Sequence, residues 1–170
     1  MIEILPADGP EDIATAGGLF KRYADWLAED HGISLAFQNF EAELAGLPGK
    51  YAPPTGAMLL ARDGAGRAVG CVALRPFDDT RCEIKRLYVA PEARGTGLGR
   101  ALAVAILEAA RAAGYERALL DTAPFMQAAQ GLYQDLGFRE VEAYYDNPYP
   151  GCVFLEAALR PADATPLTAV

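Results

Sequence analysis

The spacing of hydrophobic and polar residues predicts one strand and two helices in the N-terminal part of the chain. Residues 2–5 form a short apolar run, and residues 11–28 carry apolar side chains at the spacing of an amphipathic helix. A second helix is predicted over residues 38–47, and the following Pro48 and Gly49 end it. The N-terminal order is therefore strand, helix, helix.

The rest of the chain alternates short apolar runs with turn residues. Residues 57–62 and 68–75 flank the turn Asp63-Gly64-Ala65-Gly66 and predict a β-hairpin. The elements after this hairpin are a strand over 82–89, a helix from Gly97, a strand over 117–122, a helix over 125–136, and strands over 138–145 and 152–159. Strands that alternate with helices predict an α/β fold, in which a single seven-stranded mixed sheet is flanked by about four helices.

Length and composition are those of one small globular domain. The chain has 170 residues, of which 52% are hydrophobic and 22% are charged, enough to bury a core without disulfides. We expect a single domain over residues 1–160 and a flexible tail over residues 161–170. The N-terminus lacks a signal-peptide pattern, and the longest apolar run, residues 101–107, is too short to cross a membrane. We therefore expect a cytoplasmic protein with no membrane partner.

Charge and cysteine content argue against two further classes of ligand. The formal net charge of -8 disfavours nucleic acid, whose phosphates require a basic face, and is compatible with a cationic amine. Cys71, Cys82 and Cys152 form no Cys-x-x-Cys pair, and His31 is the only histidine, so no metal site is expected. The cysteines are predicted to be buried free thiols. His31 is predicted to lie at the end of the first helix rather than to activate a cysteine.

The most informative motif runs from Arg94 to Arg100 and reads Arg-Gly-Thr-Gly-Leu-Gly-Arg. Because it lies between a predicted strand and a predicted helix, its backbone amides and the helix dipole converge on one point and favour a phosphate group. A P-loop would carry Lys and Ser or Thr after Gly99, where Arg100 and Ala101 stand. A dinucleotide-binding loop would need its third glycine at Arg100 or at Leu102. The motif is therefore a phosphate-binding loop of another kind.

Together with its flanks, this loop resembles the pyrophosphate loop of the GNAT superfamily of acetyl-CoA-dependent N-acetyltransferases. Glu83 to Pro91 resembles the family's fourth strand, Ala118 to Thr122 its fifth, and Ala129 to Phe138 its next helix and exit. The resemblance covers residues 82–138 closely. It implies a GNAT-like fold, acetyl-CoA as the cofactor, and direct transfer of the acetyl group to an amine in a ternary complex. A non-catalytic acyl-CoA-binding module and a protein lysine or N-terminal acetyltransferase stay open as alternatives.

The resemblance also implies which residues bind the cofactor. The expected contacts are Leu87, Tyr88, Val89, Arg94, Gly95, Thr96, Gly97, Leu98, Gly99 and Arg100. Met126 departs from the family pattern, because it stands where members often carry an asparagine that binds the pantetheine arm. Methionine cannot donate that hydrogen bond, which moves the expected contact to Thr122 or Gln127.

Two residues are implied as catalytic. Tyr133 corresponds to the family's proton donor to the departing thiolate, and the alternative is an ordinary core tyrosine. Glu83 corresponds to the base that some members use on this strand. The alternatives for this position are a water chain as the base and a structural ion pair with Arg81, Lys85 or Arg86.

The acceptor is expected to enter on the side built by the first two helices and the last two strands, as in the family. Arg86, Tyr145 and Asn147 are the candidate substrate contacts, set in an aromatic-rich wall. Such a wall fits the amine of a small or amino-acid-like molecule, while the same aromatic residues also fit a plain core. A monomer and a homodimer are both left open.

Overall fold

The computed structural model describes residues 1–159, and the tail predicted over 161–170 lies outside the described residues. The strands are β1 (Glu3–Pro6), β2 (Ala57–Arg62), β3 (Ala68–Pro76), β4 (Arg81–Val89), β5 (Arg117–Thr122), β6 (Arg139–Val141) and β7 (Val153–Ala158). The α-helices of this part are α1 (Pro10–His31), α2 (Phe40–Ala45), α3 (Leu98–Ala112) and α4 (Gln127–Asp135). Each corresponds to an element that the sequence pattern predicts.

The seven strands form one mixed sheet in the order β1-β2-β3-β4-β5-β7-β6. Neighbouring strands are antiparallel except for β4 and β5, which are parallel and connected through α3. Two apolar clusters confirm the prediction of helices on both faces. Phe20 of α1 and Leu60 belong to one cluster, and Leu102 and Ile106 of α3 belong to the other. None of the helices in residues 1–159 combines the length and apolar character that a membrane crossing requires.

Two irregularities in the middle of the sheet open a gap at its centre. Val72 of β3 stands opposite both Arg86 and Leu87, so β4 carries a β-bulge there. Arg86 adopts a φ of 61°, which is uncommon for a residue with a side chain. The pairing of β4 with β5 ends at Glu83 and Leu119, and beyond that pair the two parallel strands diverge. The gap between them is where the candidate site lies.

The long helix α1 has clear start and stop signals in the sequence. Pro10 occupies its first turn together with Glu11 and Asp12, which favour the positive end of the helix dipole. Gly32 ends the helix in the left-handed conformation, with φ of 64°. His31 is the last helical residue, as predicted, and its ring stacks on Phe125 with 3.6 Å between centroids.

Three predicted details are wrong. The helix predicted over 38–47 is a 3-10 turn (Leu35–Gln38) followed by the short α2, because Asn39 between them is left-handed with φ of 57°. The strand predicted over 138–145 ends at Val141, so Tyr145 lies in the loop before β7. Cys71 and Cys82 are buried free thiols as predicted, but Cys152 is only half-buried because it borders the gap in the sheet.

Candidate active site

A cavity of about 110 Å³ lies where β4 and β5 diverge. Residues from both faces of the sheet border it, because the gap connects the two faces. The lining residues used below are Tyr23, Gln38, Lys85, Arg86, Leu87, Asp121, Thr122, Met126, Tyr133 and Cys152. An enclosed space with a few converging polar groups is the usual form of a small-molecule site. We call this space the cleft.

The glycine motif forms the turn that leads into α3. Gly95 and Gly97 have φ of 75° and 82°, which glycine adopts without steric cost. Helix α3 starts at Leu98, and no side chain caps its N-terminus. The amides of its first turn therefore lack acceptors within the helix and point outward with the positive end of the dipole. The structure thus contains the predicted glycine turn and helix start, and phosphate binding by them stays a prediction.

The two arginines of the motif lie at its rim. The Arg94 Nε donates to the carbonyl oxygen of Val89 at 3.2 Å, and its guanidinium lies 5.5 Å from the ring centre of Trp26. Arg100 forms an exposed ion pair with Asp135 at 3.5 Å. The donors that converge on the loop are thus backbone amides, and the arginines add positive charge beside them.

The bulge frees backbone amides of β4 at the cleft. Ala90 donates to the Val69 carbonyl oxygen at 2.9 Å, which places alternate amides of β4 on the β3 side. By the same alternation the amides of Leu87 and Val89 face the gap, where β5 no longer pairs with them. The side chain of Tyr88 is buried on the face of the sheet that packs on α1, and its ring centre lies 5.9 Å from that of Tyr23. Only the backbone of Tyr88 is therefore near the cleft.

Tyr133 brings a phenol into the cleft from α4. Its ring packs edge-on against Phe138 at 5.5 Å, and only 7% of the residue is exposed. Its hydroxyl has no hydrogen-bond partner among residues 1–159. Burial raises the pKa of Tyr133 above its usual value, so the phenol keeps its proton at neutral pH. Tyr23 borders the cleft from the opposite face, and burial raises its pKa to about 12.

Glu83 is held in a buried ion pair outside the cleft lining. Its Oε1 accepts from Arg75 Nε at 2.9 Å and lies 2.8 Å from Arg75 Nη2. Its Oε2 accepts from the Tyr144 hydroxyl at 3.1 Å and lies 4.0 Å from Lys85 Nζ. Glu83 is thus in an ion pair, but its main partner Arg75 is not one of the three predicted. Of those three, Lys85 lies at 4.0 Å, Arg81 pairs with Asp78 and Arg86 pairs with Glu43.

Arg86 borders the cleft, but its guanidinium already donates hydrogen bonds to Glu43 and Gln38. Its Nε and Nη2 donate to the two carboxylate oxygens of Glu43 at 2.9 and 3.1 Å. Its Nη1 donates to Gln38 Oε1 at 2.9 Å, and the Tyr51 hydroxyl donates to Glu43 Oε1 at 2.9 Å. Phe40 lies under the guanidinium at 5.0 Å. These contacts hold Arg86 in its unusual backbone conformation and fix the bulge.

Lys85 and Asp121 are charged residues of the cleft that the sequence analysis did not identify as candidate site residues. Lys85 Nζ donates to Gln38 Oε1 at 3.0 Å and lies 3.8 Å from Asp121 Oδ1. Burial lowers the pKa of Lys85, although Asp121 and Glu83 act in the opposite direction. A signal was present, because charged residues recur with the period of a strand at Glu83 and Lys85 in one apolar run and Asp121 interrupts another.

The loop before β7 is hydrogen-bonded to Asp121, a residue of the cleft lining. The Tyr145 hydroxyl donates to Asp121 Oδ2 at 2.7 Å, and Asn147 Nδ2 donates to the Tyr145 hydroxyl at 2.9 Å. The hydroxyl of Tyr149 accepts from the Ser34 amide at 2.7 Å, which fastens this loop to the segment before α2. Tyr145 and Asn147, both predicted substrate contacts, are therefore brought together behind Asp121, but neither of them borders the cleft itself.

Met126 borders the cleft just before α4, so the departure from the family pattern lies at the site itself. Thr122, one of the two proposed replacements, also borders the cleft, and Gln127 is the first residue of α4. Within residues 1–159 no three His, Cys, Asp or Glu side chains group as metal ligands do. The chemistry available at the cleft is that of phenols, a thiol, a carboxylate, an ammonium, a guanidinium and backbone amides.

Comparisons with known proteins agree with the fold. The model of the acetyltransferase (GNAT) family matches residues 19–138. An uncharacterized N-acetyltransferase of Schizosaccharomyces pombe is 44% identical over 137 residues, which are 80% of this chain and 84% of the relative. An acetyltransferase of the GNAT family from Staphylococcus aureus has a similar structure, with a TM-score of 0.75 and 16% identity over 94% of this chain and 100% of that chain. A GNAT-family acetyltransferase of Elizabethkingia anophelis with acetyl-CoA bound is also similar, with a TM-score of 0.59 and 20% identity over 92% and 97% of the two chains.

Proposed function

The chain belongs to the acetyltransferase (GNAT) family and is an acyltransferase, and from this we propose that it moves an acetyl group from acetyl-CoA to the primary amine of a small or amino-acid-like molecule. Transfer is direct, within a ternary complex. The observation that best supports the proposal is the order of three features: the uncapped start of α3 lies against Val89 at the end of β4, and Leu87 of β4 borders the same cleft as the phenol of Tyr133.

The residues present fit acetyl-CoA. The pyrophosphate is assigned to the backbone from Arg94 to Arg100, because the glycines leave open space in front of the first amides of α3. The pantetheine arm is assigned to the gap beside Leu87 and Val89, where the backbone of β4 has unpaired donors. When bound, acetyl-CoA supplies a thioester carbonyl for the acceptor amine to attack.

The protein supplies polarisation and protons. A β4 amide facing the gap, from Leu87 or Val89, stabilises negative charge on the acyl oxygen. Tyr133 gives its phenolic proton to the departing sulfur, for which it is suited by its position in the cleft and by a hydroxyl that makes no hydrogen bond within residues 1–159. Glu83, implied as a base by the resemblance, has both carboxylate oxygens occupied by Arg75 and Tyr144. This supports a different group as the proton acceptor.

The shape of the acceptor side favours a small acceptor. The loop carrying Tyr145 and Tyr149 is hydrogen-bonded to Ser34, and Phe37, which lines the cleft, packs on both tyrosine rings at 6.5 and 5.7 Å. A side chain on a folded protein would have to pass this wall. The aromatic lining suits an amine that carries an apolar or aromatic body.

A panel assay tests this proposal. Purified protein is mixed with acetyl-CoA and single amines, including phenylethylamine, tyramine, spermidine, L-lysine and L-aspartate, and free thiol release is followed together with acetylated product by mass spectrometry. We expect turnover with at least one small primary amine. Stabilisation by CoA in a thermal shift assay without turnover of any amine would support the alternative of a binding module.

The role of the loop is tested by Gly97→Ala. The new Cβ meets no neighbour within 4 Å in the folded chain, but it projects at the start of α3 where the pyrophosphate is assigned. We expect the KM for acetyl-CoA to rise about tenfold, comparable with one lost charge-assisted hydrogen bond. Gly66→Ala is a matched control, since Gly66 has a φ of 79°, equally open surroundings and a place in the β2–β3 turn. An equal rise of KM in both variants would contradict the assignment.

A further inference from the structure

The cleft contains a pair of opposite charges that the proposed function does not use. Three charged side chains border the cleft, namely Lys85, Arg86 and Asp121. Arg86 is occupied by Glu43 on two nitrogens and by Gln38 on the third. Lys85 and Asp121 are thus the charged groups that face the space an acceptor would enter.

Among residues 1–159, one carboxylate oxygen of Asp121 accepts no hydrogen bond. Asp121 is the last residue but one of β5 and lies beyond Leu119, the last residue of that strand paired with β4. Its Oδ2 accepts from the Tyr145 hydroxyl at 2.7 Å. Its Oδ1 has Lys85 Nζ at 3.8 Å, which is longer than a hydrogen bond. Oδ1 can therefore accept from an ammonium group that enters the cleft.

The charges around this pair balance before an acceptor binds. The titratable and charged groups that surround it are Tyr23 of α1, Arg75 of β3, Glu83 and Arg86 of β4, Tyr133 of α4, Tyr144, Tyr145 and Cys152 of the segment before β7, and Glu43 of α2 behind Arg86. Lys85 and Arg75 offset Asp121 and Glu83, and Arg86 offsets Glu43. An incoming ammonium adds one uncompensated positive charge beside Lys85 in a buried space. Such a charge is costly, so its arrival favours release of a proton.

We propose that Asp121 binds the acceptor's ammonium group through Oδ1 and that the neighbouring Lys85 makes this ammonium give up its proton, an inference that rests on the proposed function. The proton passes to Asp121 Oδ1 and from there to water. The nitrogen lone pair then forms the C–N bond as the C–S bond breaks, and Tyr133 protonates the sulfur. The proton that nitrogen loses on becoming an amide restores the phenol, so the step balances.

Two conservative variants separate the two roles, measured with the amine that the panel finds most active. Asp121→Asn removes the carboxylate that attracts the ammonium, and we expect the KM for the amine at pH 7 to rise about tenfold or more. Lys85→Met leaves Asp121 without its cation, so the ammonium binds at least as well but keeps its proton. We expect kcat at pH 7 to fall about tenfold, and to recover as the pH rises towards the pKa of the free amine.

The control is Glu156→Gln, a partly buried carboxylate of β7 that stands beside Leu119 in the sheet and pairs with Arg117 at 2.7 Å. We expect it to leave the KM, kcat and pH profile of the wild type unchanged. CoA stabilisation in the thermal shift assay confirms that each variant is folded. If Asp121→Asn does not fold, the pH profile of Lys85→Met decides alone.

Two results would overturn the inference. One is an unchanged pH profile and amine KM in both cleft variants. The other is a pH profile of kcat whose low-pH limb shifts in Glu83→Gln but does not shift in Asp121→Asn. That result would make Glu83 the base. A wild-type protein that binds CoA and acetylates no amine refutes the proposed function itself, and the inference with it. An active wild type with unaffected variants refutes the inference alone.

Discussion

Replacement of Tyr133 by phenylalanine is expected to lower kcat about a thousandfold, a loss typical of removing a positioned proton donor. The KM for acetyl-CoA should stay close to that of the wild type, because the loop from Arg94 to Arg100 is unchanged. The phenyl ring keeps its edge contact with Phe138, and the lost hydroxyl makes no hydrogen bond within residues 1–159. The variant should therefore lose little stability, so a fall in kcat can be attributed to the missing proton donor. Steady-state kinetics with the best amine of the panel provide the measurement.

Two further tyrosines make this test specific. Tyr115→Phe also removes a buried hydroxyl, one that donates to the Thr55 carbonyl oxygen at 2.6 Å away from the cleft, and should keep kcat. Tyr23 reaches the cleft from the other face of the sheet, and its pKa is also raised by burial. A large loss of kcat in Tyr23→Phe with a small loss in Tyr133→Phe would make Tyr23 the donor instead.

The raised pKa of Tyr133 also determines the pH dependence of this step. A donor must be protonated, and burial extends the protonated range of this phenol to a higher pH than that of an exposed tyrosine. In the wild type, kcat should therefore not decline across the pH range where free tyrosine titrates, near ~10. A decline in that range that disappears in Tyr133→Phe would show that the phenol titrates normally.

Local patterns in the sequence predicted most of the fold because each strand and helix is specified by nearby residues. The alternation in β2 and β3, the helical period of α1 and the glycines before α3 all act within a few residues of each other. The predicted elements whose bounds were wrong are those that depend on the backbone conformation of a single residue or on packing against distant parts of the chain. Asn39 interrupts a helical pattern by adopting a left-handed conformation, which its neighbours in sequence do not signal.

The site was predictable in its cofactor loop but not in its charge pairs. Arg75 and Glu83 are cross-strand partners, and their pairing depends on the register of β3 and β4. Glu43 and Arg86 lie 43 positions apart in sequence, so their contact arises only from the way α2 packs on the sheet. Sequence reasoning therefore identified Glu83 as charged in an apolar strand, yet could not tell which partner its carboxylate has.

The free energy of unfolding is expected to fall by about 3–5 kcal/mol in Arg86→Leu, because a buried partner is left with an unpaired charge. The Arg86 side chain is 3% exposed and the Glu43 side chain 13% exposed, so water replaces little of the lost ion pair. A φ of 61° is about equally unfavourable for arginine and for leucine, so backbone strain does not contribute to the difference in stability between the wild type and Arg86→Leu. Urea denaturation measures the change, with an unchanged m-value as the sign of a two-state comparison.

The double variant Arg86→Leu with Glu43→Leu shows whether the loss comes from the orphaned carboxylate. Removing both charges replaces a buried ion pair by apolar side chains, which is often neutral or stabilising, so most of the lost stability should return. Arg67→Leu is the surface control, since its ion pair with Asp63 at 2.7 Å leaves the Arg67 side chain 76% exposed and should contribute little to stability. A double variant as unstable as Arg86→Leu would show that the guanidinium stabilises the bulge through Gln38 and Phe40 rather than through Glu43. Because the same bulge turns the amides of Leu87 and Val89 into the cleft, recovery of stability without recovery of kcat would separate the folding role of Arg86 from its role in shaping the site.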